Sequence, residues 1–227
     1  MSELFTIRFE LDNNELKLLR RIRYGHIGSE ELVSLYNEYA GNYRMRFALV
    51  QHPFFPVKTA LNIIPSLFII DLIRLVKNRR TNPFIRKRAE IEFVNKYPRY
   101  PLGEKITYMR IAPRSLLNYF IREKDKKILK EILNNPQCTE DLILKMINLE
   151  DEGKGKFELY DVLSESEWFK RRMVAEAIAN DKTAPIKIIL KILPYLSIKN
   201  LNKIYSSVNT HKTIKKGITE YLNNRVK

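Results

Sequence analysis

The stretch that decides the fold runs from Ala60 to Val76, "ALNIIPSLFIIDLIRLV", with its most apolar part, "IIPSLFIIDLI", between Ile63 and Ile73. It could be a membrane span, a buried strand or one copy of a recurring unit. As a span it fails: its length only just reaches the minimum for crossing hydrocarbon, Pro65 interrupts the run, and Asp71 and Arg74 would both have to lie in lipid. The second half of the chain decides between the others, because "ILPYLSIKNLN" from Ile192 to Asn202 repeats the same order of residue types. At an offset of 129, Ala48 falls on Ala177, Pro56 on Pro185, Leu61 on Leu190, Pro65 on Pro194, Leu67 on Leu196, Ile69 on Ile198 and Leu72 on Leu201. The register continues without a gap through Thr81 and Thr210, Ile85 and Ile214, and Arg86 and Lys215.

Three times 43 is 129, and a period of about 40 to 47 residues belongs to stacked helical repeats. Intervening copies are more worn: "ILNNPQCTEDLILKMI" from Ile132 matches "LVQHPFFPVKTALNII" from Leu49 at an offset of 83, and "KYPRYPLGEKITYM" keeps only its prolines and helical spacing. Within a unit, a helix such as "YRMRFALVQ" is expected to stop at His-Pro or Asn-Pro, since the residue before proline is pushed out of the α region. A second helix is expected to begin at Pro56 or Pro185, where the missing amide donor costs nothing. A third is expected to begin at Pro65 or Pro194. In "PVKTALNIIP" and "PIKIILKILP" apolar residues recur three and four apart, which gives each helix a face to bury against its neighbour.

The spacing Ala-x7-Pro-x8-Pro-x-Leu-x-Ile, the recurrent Asn-Pro, and basic helix starts in "RMR", "IRKRAE" and "KRRMVAEAIAN" resemble the leucine-rich-repeat-variant and HEAT-like α-solenoids of bacteria. "YPLGEKITYMRIA", Tyr100 to Ala112, is similar to a segment of uncharacterised bacterial members of that group. The resemblance spans Asn42 to Tyr221. It implies an all-α, right-handed solenoid of HEAT-like repeats with a period of about 43 residues. Such families include protein-binding scaffolds and, in one HEAT-like branch, DNA-alkylpurine glycosylases.

The chain is expected to divide into a cap, residues 1–41, and a helical-repeat domain, residues 42–227. In the cap, "LFTIRFEL" alternates Phe5, Ile7 and Phe9 and reads as an extended lead-in, followed by helices near Asn14 to Tyr24 and Ser29 to Tyr39, with Ser29 as a helix cap. "NLEDEGKGKFELYD", Asn148 to Asp161, holds two of the few glycines and reads as a loop or hinge. The opening "MSELFTIRFELDNNE" lacks a secretory pattern, so a cytoplasmic location is expected. Cys138 is the single cysteine and reads as a turn residue; with three scattered histidines it makes no zinc pattern, and no cofactor is expected.

Charge carries the functional expectation. The net +15 is uneven: residues 42–139 hold 20 basic against 7 acidic groups and residues 169–227 hold 13 against 3, while residues 1–41 and 140–168 are net acidic. The densest cluster is Arg74, Lys77, Arg79, Arg80, Arg86, Lys87 and Arg88; the second is Lys170, Arg171 and Arg172 beside Trp168 and Phe169. These residues are the candidate polyanion-binding set. Nucleic acid, DNA or RNA, is the favoured partner, held by its backbone because no base-reading motif accompanies the charge. A protein partner with an acidic surface is the alternative, and a membrane-surface role is disfavoured because no free amphipathic helix with exposed aromatics is evident. Tyr97, Tyr100, Tyr108 and Trp168 lie among basic residues but read chiefly as packing groups. An enzyme, such as a HEAT-like DNA glycosylase, is a less favoured reading: Asp71 is the one acid in an unusual setting, its counterpart in the second copy is Asn200, and no catalytic residue is assigned.

Overall fold

A computed structural model describes residues 13–149, 154–208 and 210–225. The expected lead-in through Phe5, Ile7 and Phe9 lies outside the described residues. The described chain is all-helical, without a strand. It divides into two compact units, Met1–Arg99 and Tyr100–Lys227.

In the first unit α1 (Asn13–Tyr24), α2 (Ser29–Glu38), α3 (Tyr43–Val50), α4 (Val57–Ile63), α5 (Ile69–Lys77) and α6 (Pro83–Lys96) surround a core of Leu32, Met45, Leu49, Ile63, Leu72 and Phe93. The apolar stretch from Ala60 to Val76 is thus two helices joined by a 3₁₀ turn at Ile64–Ser66. α5 is buried over most of its circumference, through Ile69, Leu72, Ile73, Leu75 and Val76, and packs most extensively against α6. Burying an aliphatic side chain of this size is worth about 1.5–3 kcal/mol, which explains why so little of α5 is polar. α1 and α2 both pack against α3.

The second unit holds α7 (Leu102–Ile111), α8 (Arg114–Leu117), α9 (Lys126–Asn134), α10 (Glu140–Asn148), α11 (Lys154–Ser164), α12 (Arg172–Asn180), α13 (Ile186–Ile192), α14 (Ile198–Ser206) and α15 (Lys212–Arg225). Helices here pack on their next-but-one neighbours: α7 on α9, α9 on α11, α10 on α12, α11 on α13 and α13 on α15. Among the described residues no helix is long and apolar enough to cross a membrane.

The two matching segments have the same internal anatomy. α4, the 3₁₀ turn after it, α5 and α6 have the same bounds, displaced by the offset that aligns the sequences, as α13, the turn Leu193–Tyr195, α14 and α15. Burial repeats too, at Met45 and Val174, Leu49 and Ile178, Ile63 and Ile192, Leu67 and Leu196, Leu72 and Leu201, and Ile85 and Ile214. The helices that start at Tyr43, Pro83, Lys126, Arg172 and Lys212 follow one another at intervals close to the expected period.

A polar turn recurs at the end of α3, α9 and α12. Nδ1 of His52 accepts the Phe54 amide, Oδ1 of Asn135 accepts the Gln137 amide, and Oδ1 of Asp181 accepts the Thr183 amide, each two positions on. Such side chains hold a tight turn by replacing a backbone acceptor. Each also reaches a different helix. His52 engages the Gly25 backbone after α1. Nδ2 of Asn135 donates to the carbonyls of Met109 at 2.6 Å and Ala112 at 3.0 Å at the end of α7. Asp181 pairs with Lys156 at 2.6 Å and accepts from the Tyr160 hydroxyl, both on α11. Burial pushes the Asp181 carboxyl up, but the bonds from Lys156, Tyr160 and Thr183 outweigh it and leave it below its ordinary value.

Several local expectations need correction. Pro56 and Pro185 occupy the capping position, with the helices starting immediately after them. Pro65 and Pro194 sit inside the 3₁₀ turns, and the third helices begin at Ile69 and Ile198, because the proline ring ends the preceding α-helix before it can open a new one. Ser29 is the first residue of α2, behind Gly28 at the cap position, and its side chain makes no capping bond. The expected loop at 148–161 is helical from Lys154, where Leu159, Tyr160, Val162 and Leu163 supply a buried face that the glycines do not overrule.

Candidate functional site

Of the predicted basic residues, Arg74 and Lys77 lie on α5, Arg79 and Arg80 on the loop to α6, and Arg86, Lys87 and Arg88 on α6. Since α5 packs on α6, these seven belong to one helical hairpin of the first unit. Lys170, Arg171 and Arg172 belong to the second unit.

Their charges are not equally available. Arg74 pairs with Asp71 at 2.8 Å, Lys87 with Glu90 at 3.1 Å, Arg88 with Glu92 at 3.8 Å, Lys170 with Glu167 at 3.0 Å and Arg172 with Glu176 at 2.7 Å. All are pairs three or four positions apart on one helical face. Arg86 is half-buried, its Nε closed off without a hydrogen-bond partner among the described residues. The Arg171 guanidinium lies 4.5 Å over the Trp168 ring, whose Nε1 donates to the Leu133 carbonyl at 2.8 Å. Among the described residues, Lys77, Arg79 and Arg80 have no carboxylate partner, and Arg23 at the end of α1 shares that condition.

Three chain turns meet beside these cations. Nη1 of Arg80 donates to the Arg23 carbonyl at 2.9 Å, the Thr81 hydroxyl donates to the Gln51 carbonyl at 3.0 Å, and His52 engages Gly25. These bonds draw the ends of α1, α3 and α5 around a cavity of about 190 Å3, lined by Arg23, Tyr24, Gln51, His52, Asn78 and Arg80 over an apolar base of Ile22, Ala48 and Pro53. Among the described residues no carboxylate lines it. His52 is buried at 4% exposure, whereas Tyr24 at the rim is 76% exposed. Phe54, 63% exposed, lies with its ring 5.8 Å from that of His52. Burial holds His52 below its ordinary value, against the opposing pull of the Gly25 backbone and with help from the nearby Arg80 charge. The ring is therefore neutral at pH 7, leaving Nδ1 free to accept from Phe54.

The aromatics singled out in the sequence serve packing. Tyr97 and Tyr108 are buried, and Tyr100 meets Tyr108 edge-on at 5.4 Å. Asp71 is likewise structural: Oδ2 accepts from the Tyr43 hydroxyl at 2.7 Å, Oδ1 pairs with Arg74, and the Tyr43 oxygen accepts the Phe68 amide at 2.9 Å. Cys138 lies in the turn before α10, buried, with its thiol pushed up to about 11 by burial despite a bond from the Thr139 backbone. Among the described residues no group of three or more His, Cys, Asp or Glu could hold a metal ion. Sequence reasoning misses Arg23, Tyr24 and His52 as one site with Arg80; only the meeting of three turns unites them.

No protein-family model, no curated protein and no solved structure matches the chain.

Proposed function

We propose that the protein is a non-enzymatic binding module that holds nucleic acid, or another polyanion, by its backbone. The observation that carries this reading is the pair Arg23 and Arg80 lining a cavity with no acid among its described lining residues, with Lys77 and Arg79 next to Arg80 in the chain, all four without carboxylate partners among the described residues. Each phosphate neutralised by such a cation releases condensed counterions, which drives binding without reading sequence.

The scaffold in this reading is a right-handed α-solenoid of HEAT-like repeats, with residues 1–41 as its cap. The helix-start spacing, the matching anatomy of the two aligned segments and the recurrent turn at His52, Asn135 and Asp181 support it. The packing of α1 and α2 on α3 supports the cap.

Fluorescence anisotropy with labelled mixed-sequence oligonucleotides over a salt series tests the proposal. Log K should fall linearly with log salt concentration, by about 0.7 to 0.9 per phosphate contacted. Absence of binding at about 0.1 M salt, where surface charges still act over about 10 Å, would refute it. A stoichiometric acidic protein captured instead would favour the scaffold alternative.

A further inference from the structure

We infer that the cavity between the ends of α1, α3 and α5 seats one unpaired nucleotide of a single strand, its base against Tyr24 and its phosphate against Arg80 and Arg23. The inference rests on the polyanion reading and specifies its ligand class. Solvent-exposed phosphate contacts alone would not distinguish duplex from single strand. The aromatic rim does, because a base inside a duplex already stacks on its neighbours and cannot offer a face to a protein ring.

Each part of the seat has a chemical role. A volume of about 190 Å3, open to solvent, gives room for one planar heterocycle to enter. Ile22, Ala48 and Pro53 give it an apolar floor, while Tyr24 stands exposed at its rim, placed to stack on a base entering from solvent. Arg80 spends one Nη1 donor on the Arg23 carbonyl, which fixes the guanidinium at the rim and leaves its other N–H groups for a phosphate oxygen pair. Asn78 uses its Oδ1 to accept the Arg80 amide at 3.1 Å, so its NH2 is left to meet a base edge. His52 stays neutral and buried, shaping the wall without adding charge.

The test compares Tyr24→Ala and Tyr24→Phe with the unaltered full chain, in anisotropy titrations against single-stranded DNA, single-stranded RNA and duplex DNA of one mixed sequence. Tyr24 is so exposed that its truncation leaves the core intact, which circular dichroism verifies. Tyr24→Ala should weaken single-strand binding about five- to a hundredfold, the usual range for losing one stacked base, and leave duplex binding unchanged. Tyr24→Phe should restore it. A loss on either DNA or RNA upholds the seat. Equal losses on single strand and duplex, or no loss on single strand while the unaltered protein binds, overturn this inference but spare the polyanion reading. No binding of any nucleic acid by the unaltered protein overturns both.

Discussion

Replacing Asn135 by Ala tests whether the recurrent turn residues hold successive helices together. The side chain is 3% exposed and makes two kinds of bond: Nδ2 satisfies the Met109 and Ala112 carbonyls, and Oδ1 takes the Gln137 amide at 2.7 Å. Met109 and Ala112 are themselves fully buried at the end of α7, where the Met109 carbonyl also accepts the Ala112 amide at 3.4 Å, so losing Asn135 orphans the Ala112 carbonyl and leaves Met109 that one long bond. The orphaned Ala112 carbonyl costs about 1 kcal/mol at the lower end of the usual range, and the lost turn bond about another 1 kcal/mol, giving about 2 kcal/mol. For a urea dependence of about 2 kcal/mol per M the midpoint should drop by about 1 M. Trp168 is the only tryptophan, and its Nε1 bond to Leu133 at the end of α9 makes its fluorescence a local reporter of this unit. Asn134→Ala, the adjacent position and an exposed one, should shift the midpoint by no more than about 0.3 M. If Asn135→Ala unfolds within about 0.3 M of the unaltered protein, the turn does not tie α9 to α7 energetically.

Further outcomes follow from the same geometry. Tyr43→Phe, which leaves the buried Asp71 carboxylate and the Phe68 amide short of a partner, should lower stability by about 1–3 kcal/mol in urea denaturation. His52 has its folded value depressed below the ordinary value of about 6.5, so protonation favours the unfolded chain. Stability should therefore be retained above that pH and decline as the pH falls from 7 to 5. His52→Asn, which keeps a turn acceptor as Asn135 does, should flatten that decline in thermal melts followed by circular dichroism. Cys138, buried with its thiol pushed up to about 11, should react with a thiol reagent at pH 8 orders of magnitude more slowly in the native protein than in urea.

The helical class is legible because apolar residues three and four apart, few glycines and paired prolines all point the same way. The matched segments are legible because Pro56, Pro65, Leu67 and Leu72 recur with their partners at one offset. Placement of the prolines is less so: the same ring that can open a helix can also close the preceding one as a 3₁₀ turn, and only packing chooses. At 148–161 two glycines outweigh, in the sequence, a buried face that needs tertiary neighbours to count. The site is half legible. Arg79 and Arg80 stand out, yet a tally of charge does not pair each cation with the carboxylate three or four positions away, although Asp71, Glu90, Glu92, Glu167 and Glu176 all stand at that spacing. Tyr24 and His52 cannot be joined to Arg80 from sequence, because whole helices separate each from the next and only the folded turns close the gap.

The central claim is that cations without carboxylate partners, rather than basic residues in general, hold the polyanion. The most direct measurement is the slope of log K against log salt concentration for single-stranded DNA, in a Lys77→Ser/Arg79→Ser variant and a Lys170→Ser/Arg172→Ser variant. The account predicts that the first slope is shallower by about 1.4, two single-strand phosphates at about 0.7 each, and that the second is unchanged. An unchanged slope in the first variant, or an equal reduction in both, would contradict it.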